Sequence, residues 1–287
     1  MSADPTRGLV DYWCNGFTPD RRVEWERGLD NSPINFSDAL GGAFMEAEAF
    51  VAQMDRDGVS TVMVPSRDQR KPAAHIPFTD VEPEIDATAE LMERFPGRVV
   101  GLYSIDPNEA MRGVRGLERC VTELGFRGAH IHTHSWDRRL DHRDYYPYYA
   151  KCEELGVPVV MQVGHSAGLA PSESGRPFTA DRAAIYFKGL NLILSHTGWP
   201  WVDEAIAMAW KHPNVYVGTA THQPKYWTQA FTEFALGRGR GKVLLGTGFP
   251  VLRHAQLLEQ VDGLGARPEV RDAIVHDNAA RLFGLGR

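Results

Sequence analysis

Ala150-Lys-Cys-Glu-Glu-Leu-Gly-Val-Pro-Val-Val-Met-Gln-Val-Gly-His165 is the stretch that decides the fold. Its first half completes an apolar stripe, Tyr145, Tyr149, Cys152 and Leu155, with the three- and four-residue steps of one helix face. Gly156 stops that helix, because glycine tolerates the left-handed backbone with which helices commonly end. The chain then enters the run 157–164 at once, and this run is apolar almost throughout. Such a pattern belongs to a strand buried on both faces. A helix that feeds directly into a doubly buried strand is the repeating unit of a parallel sheet.

The same rhythm extends in both directions. Met111, Val114, Leu117, Val121 and Leu124 form a second stripe that ends at Gly125 and leads into a strand-like run at 126–134. Phe36, Leu40, Phe44, Ala47, Val51 and Met54 form a third, with Asn35 or Ser37 as its cap. Strand-like runs fall at 9–15, 61–66, 98–105, 126–134, 157–164, 190–198, 215–220 and 242–250. Eight such units in 287 residues favour an α/β fold of one closed (β/α)8 TIM-type barrel over an open doubly wound sheet. No Gly-x-Gly-x-x-Gly follows the first strand, which argues against a dinucleotide site. No linker divides residues 1–287, so a single domain is expected. Long loops after strands one and five, at 16–35 and 167–180, are candidate lids or rim coverings.

Composition narrows the function. A 43% hydrophobic content supplies enough buriable surface to exclude disorder. The 31 basic and 37 acidic residues are mixed along the chain, net −6, and leave no basic stripe for nucleic acid. No apolar run is long enough to span a bilayer, so no membrane partner is expected. Three scattered cysteines, Cys14, Cys120 and Cys152, make no disulfide framework, and a reducing cytoplasm is expected.

In such a barrel the chemistry sits at the C-terminal strand ends. Alternation puts His130, His132 and His134 on one face at the end of strand four. Strand five ends with Gln162 and His165, strand six with His196, and strand one with Trp13 and Asn15 on one face and Cys14 on the other. Imidazole is poised for acid/base work near neutral pH, and several converging at one mouth point to a functional pocket. His212, His254 and His276 fall in helical or connecting stretches and are expected at the surface. Trp199 and Trp201 either line the mouth or fill a subunit contact.

Five motifs, in order, carry a resemblance: 125–132 (Gly-Phe-Arg-Gly-Ala-His-Ile-His), 150–159, 190–198 (Leu-Asn-Leu-Ile-Leu-Ser-His-Thr-Gly), 242–250 (Lys-Val-Leu-Leu-Gly-Thr-Gly-Phe-Pro) and 278–284 (Asn-Ala-Ala-Arg-Leu-Phe-Gly). Together they resemble the amidohydrolase-related family, in the branch of aminocarboxymuconate-semialdehyde decarboxylase and related aromatic-acid decarboxylases and hydrolases. The resemblance implies a metal held by Asp-x-His-x-His on strand one, a histidine on strand five and the aspartate of Gly-Thr-Asp-x-Pro on strand eight. Here those positions are Trp13, Asn15, Gln162 and Gly248. Only the strand-six histidine remains, as His196, and the family uses it as an acid/base group.

Zinc needs three or four nitrogen, sulfur or carboxylate donors at about 2.0–2.3 Å, so no metal and no other cofactor is expected at the usual place. A displaced site on His130 and His132, with His165 or His196 as third donor, is the alternative. The first functional expectation is metal-independent hydrolysis of a small ester, lactone, amide or activated C–C bond, centred on His196 with His132 and His165 as partners. Trp13, Asn15, His130, Gln162 and His134 would then bind the substrate. Metal-free decarboxylation of a small aromatic or unsaturated acid is the second expectation, with a planar substrate stacked on Trp13. A non-catalytic homologue that binds a ligand or partner is the third. Gly164-His-Ser-Ala-Gly168 matches Gly-x-Ser-x-Gly, but proline and glycine follow where a nucleophile elbow needs a helix. A homodimer through the barrel helices is the default assembly.

Overall fold

Each strand pairs in parallel with the next, in the order β1 to β8. The strands are β1 (Leu9–Asp11), β2 (Val59–Ser66), β3 (Val99–Ser104), β4 (Gly128–Ile131), β5 (Val159–Met161), β6 (Leu192–Leu194), β7 (Val215–Gly218) and β8 (Val243–Leu244). Residues 7–22, 42–66, 85–168 and 170–286 are described by this computed structural model. The barrel closes just past the first and last strands. There Cys14 bridges Phe249, Gly248 N–H donates to Trp13 C=O at 2.9 Å, and Asn15 N–H donates to Phe249 C=O at 2.9 Å. The expected (β/α)8 barrel is the fold.

The crossover helices are α1 (Ala47–Asp57), α2 (Ile85–Arg94), α3 (Ala110–Thr122), α4 (Tyr146–Leu155), α5 (Ala180–Tyr186), α6 (Val202–Lys211), α7 (Gln229–Leu236) and α8 (His254–Asp262). Gly156 ends α4 in the left-handed conformation at φ 68°, where an L side chain would be strained. In α3, Val114 and Leu117 are buried while Met111 is exposed, so the stripe starts one turn later than its spacing suggested. Phe36, Leu40 and the caps Asn35 and Ser37 lie outside the described residues. Within them, the third stripe forms a helix only from Ala47. No helix among the described residues is long and apolar enough to cross a membrane.

Two apolar layers follow from strand alternation. Outward residues such as Val62, Val64, Val99 and Leu194 pack under the helices. Inward residues, Val10, Tyr12, Met63, Val100, Leu102, Val160, Ile193 and Leu244, fill the barrel. Ala279, Leu282 and Phe283 of the C-terminal helical run join that inner layer and plug the end where the strands begin. One end is therefore closed by packing, and the opposite end carries the loops. The strands stop several residues short of the apolar runs at 9–15, 126–134 and 190–198. Their last residues leave the ladder and bond to loops instead, which frees them for a site.

Candidate functional site

β1 ends because Asp11 turns outward and gathers donors from three directions. Its Oδ1 accepts the backbone N–H groups of Trp13 (3.1 Å) and Thr247 (3.0 Å), and its Oδ2 accepts the Thr247 hydroxyl and His254 Nε2–H (3.0 Å). Asp11 and His254 are both fully buried, so His254 is not the surface residue that its helical position suggested. His212 is also buried, with its Nε2 2.7 Å from Asp181 Oδ1. His254 lies on a helix face turned toward the barrel and His212, just past the end of α6, is buried against α5, which a lone histidine in sequence cannot reveal.

The turn that Asp11 imposes sends Trp13 into the mouth. Its indole N–H donates to Asn15 Oδ1 at 3.0 Å, and Asn15 Nδ2 donates to the carbonyls of Gly248 (3.0 Å) and Phe249 (3.2 Å). Asn15 is thus a tie between strand ends one and eight. Both ends of its amide make bonds within the protein, beside its expected contact with substrate. Cys14 points into the outer core, where burial pushes its thiol well above the ordinary value and leaves it inert.

The Trp13 ring centroid lies 4.4 Å from that of His130 and 6.4 Å from that of His196. From His130 the imidazoles continue in a row, 6.2 Å to His132 and 5.9 Å from there to His134. The expected common face does not extend that far. β4 ends at Ile131, and Thr133–Trp136 form one helical turn, which rotates side chains by about 100° per residue instead of 180°. His134 is therefore buried away from the mouth, and its Nε2–H donates to Gly164 C=O at 3.0 Å. It is a support, not a substrate contact. His132 caps the helical turn, with its Nδ1 accepting Ser135 N–H at 3.1 Å. Neutral His132 therefore carries its proton on Nε2.

His196 has the opposite tautomer. Its Nδ1 is 2.9 Å from Ala220 C=O, which can only accept, so the proton sits on Nδ1. Thr221 Oγ1 lies 3.1 Å from the same nitrogen. Nε2 is shielded from solvent and has no hydrogen-bond partner among the described residues. The backbone pays for this arrangement. His196, Thr197 and Thr221 all have positive φ (58°, 53° and 62°), each a non-glycine in the left-handed region. Such strain costs about 1–3 kcal/mol per residue and persists where surrounding structure enforces it.

Burial and mutual repulsion keep His132, His134 and His196 neutral at pH 7. Burial, with His222 nearby, pushes His196 down to about 3. Burial holds His134 at about 4 and His132 well below its ordinary value, with His134 and His130 adding to the latter shift. A second group stands at the rim. His165 packs edge-on to the exposed Trp199 with centroids 4.8 Å apart, and Trp199 lies 6.3 Å from His222. His222 Nδ1 is 3.1 Å from Thr197 Oγ1, and burial lowers its pKa to about 4. The sequence reading passed over His222, although it stands beyond β7 much as His165 stands beyond β5. Gln162 is partly exposed beside the row, and its carbonyl accepts the Thr133 hydroxyl. Ser166 Oγ accepts Gly168 N–H at 3.2 Å in a turn with no helix behind it, so no nucleophile elbow is formed.

Comparison with known proteins gives three kinds of match. The model of the family described as Amidohydrolase matches residues 23–285. Gamma-resorcylate decarboxylase of Rhodococcus jostii is 26% identical over 252 residues, 70% of this chain and 75% of the relative. The 2-amino-3-carboxymuconate-6-semialdehyde decarboxylase of Dictyostelium discoideum is 29% identical over 241 residues, 70% of this chain and 65% of the relative. Among solved structures, 5-carboxyvanillate decarboxylase of Novosphingobium aromaticivorans, complexed with manganese, superposes with a TM-score of 0.74 at 16% identity. That match covers 99% of this chain and 98% of the other.

A metal at the family's usual place does not fit these residues. Trp13 offers an N–H donor where a ligand lone pair is required, and the Asn15 amide is already spent. Gly248 has no side chain, sits at φ 61°, and a Cβ there would lie 2.3 Å from the Thr221 methyl group. The displaced alternative on His130 and His132 is not assembled either. Among the described residues no three His, Cys, Asp or Glu side chains are grouped to hold an ion.

Proposed function

The chain belongs to the amidohydrolase family, and on that premise we propose that it decarboxylates a small planar carboxylic acid without a metal ion. The observation that carries this reading is Trp13. Its indole stands at a position the family gives to a metal ligand, packed between His130 and His196. An aromatic wall suits a flat, conjugated substrate and gives nothing to water activation.

Electrostatics supports decarboxylation over hydrolysis. A general base works best when its pKa lies near the operating pH, and His196 at about 3 is far too weak a base to activate water. A substrate carboxylate changes this. At about 4 Å and an effective dielectric near 20, one negative charge stabilises imidazolium by about 4 kcal/mol, or about three pKa units. An acid substrate therefore brings His196 close to neutrality, whereas a neutral ester or lactone leaves it inert. His132, with its proton on Nε2, is the donor suited to the carboxylate. His196 takes up a proton from solvent as the anion binds and delivers it from Nε2 to the carbon that bears the carboxylate. The new C–H bond takes a π electron pair of the conjugated substrate; when the C–C bond breaks and carbon dioxide leaves, its electron pair restores that π system and His196 is left neutral. The names of the two relatives, both decarboxylases of unsaturated or aromatic acids, support the same class.

The test is carbon dioxide release from a panel of benzoic and unsaturated dicarboxylic acids, run in chelator. Turnover is expected to survive chelation, and His196→Ala is expected to lower kcat by about 10²- to 10⁴-fold. Activity that appears only with added manganese, or only toward esters and lactones, overturns the reading.

A further inference from the structure

Beneath His196 lies a buried phenol that the mechanism above does not use. Tyr12 fills the centre of the barrel, with no solvent exposure, in room left by two glycines. A Cβ at Gly218 would lie 2.3 Å from its ring, and one at Gly246 would lie 2.5 Å from it. Its oxygen is 2.7 Å from Ser195 Oγ and accepts Ala220 N–H at 3.0 Å.

These partners frame His196. Ser195 precedes it in the chain, and Ala220 is the residue whose carbonyl takes the Nδ1 proton. The phenol stays protonated, because burial raises its pKa further above an already high ordinary value. It therefore accepts the Ala220 N–H, which can only donate, and gives its single proton to Ser195 Oγ. Residue Ala220 is thus held at its N–H by Tyr12 while its C=O, in the next peptide unit, faces the imidazole. Left-handed backbone at both His196 and Thr197 needs such an external restraint to persist.

The geometry points to Tyr12 as a positioning residue that fixes His196 in the Nδ1–H tautomer and so keeps its Nε2 open toward substrate. The inference rests on the role given to His196, but its main test needs no turnover. Long-range ¹⁵N–¹H correlation spectra of the full chain report which imidazole nitrogen is protonated. Wild-type His196 is expected to show protonated Nδ1 and bare Nε2. Tyr12→Phe, which removes one oxygen and keeps the ring, is expected to mix the two tautomers. It is also expected to lower kcat roughly ten- to hundredfold with little change in KM, as loss of an orienting partner does. Tyr145→Phe serves as the control, since that buried hydroxyl has no partner among the described residues, and it is expected to leave the His196 spectrum unchanged.

If Tyr12→Phe does not fold, Ser195→Ala keeps the phenol and removes only its acceptor, and the same mixing is expected to a smaller degree. The inference falls if wild-type His196 carries its proton on Nε2. It also falls if a folded Tyr12→Phe protein keeps the pure Nδ1–H form. A correct tautomer pattern in a protein without decarboxylase activity would leave this inference standing and remove only the proposed reaction.

Discussion

The end of β1 serves two sites that differ in how their polar groups are treated. On its outer side Asp11 is fully buried and accepts from Trp13, Thr247 and His254, which links β1, the segment after β8 and α8. On its inner side, two residues on, Trp13 faces a row of imidazoles, and the Nε2 of His196 has no partner among the described residues. The outer site has backbone and side-chain donors converging on one carboxylate. The inner one has left-handed backbone and an unused lone pair. A carboxylate that draws in this many donors rigidifies a fold, whereas left-handed backbone is held only where surrounding structure enforces it. His254 Nδ1 also has no hydrogen-bond partner among the described residues, so the contrast between the outer half at Asp11 and the inner half at His196 rests on the backbone.

The largest expected effect tests the outer half. Asp11→Ala strips His254 and Thr247 of a shared acceptor, and each buried donor left unpaired costs about 1–3 kcal/mol. Urea unfolding is expected to show that loss. If stability is retained and only turnover drops, the division between the two halves is wrong.

Gly248→Asp restores the residue that the family motif has on strand eight, but not its geometry. A side chain at φ 61° pressed against Thr221 is expected to destabilise by about 1–3 kcal/mol. Calorimetric titration with manganese is expected to show no site at the strand ends. Tight binding by this single variant would mean that the mouth still holds the rest of a metal centre.

A subtler effect, spread over several pH units, is a slope that belongs to the imidazoles. His134 has a folded pKa of about 4 against an ordinary value of 6.5, so between these values the unfolded chain binds more protons than the folded one. Its contribution is complete above about pH 6.5 and is lost as the pH falls toward 4, at up to about 1.4 kcal/mol per pH unit. Denaturation midpoints measured from pH 7.5 down to 4.5 are expected to decline accordingly, and His134→Gln, which keeps a donor for Gly164, is expected to flatten the curve. A wild-type midpoint that stays level down to pH 4.5 would show that the row is not desolvated.

Much of this protein was written in its local patterns. The 3.6-residue stripe through Tyr149 and Cys152, its stop at Gly156 and the doubly apolar run after it specify a helix and a buried strand without outside help, because both depend on residues a few positions apart. Repetition of that unit led to the barrel, and strand-end positions led to His130, His132, His165, His196 and Trp13 at its mouth. The absence of ligand side chains at Trp13, Gln162 and Gly248 was equally legible, since it needs only side-chain identity.

What the sequence left open involves partners far apart in the chain. The Asp11–His254 contact spans 243 positions and the Tyr12–Ser195 contact 183, and only barrel closure brings either pair together. Strict alternation placed His134 with His130 and His132, but backbone hydrogen bonds turned Thr133–Trp136 into a helical turn and took it off that face. Tautomers were likewise unreadable, because Ser135 N–H and Ala220 C=O set them from neighbouring loops. Residue types and short-range periodicity determined which groups the protein owns and which elements carry them. Tertiary closure alone decided which of those groups are satisfied, which stay neutral, and which nitrogen is left to react.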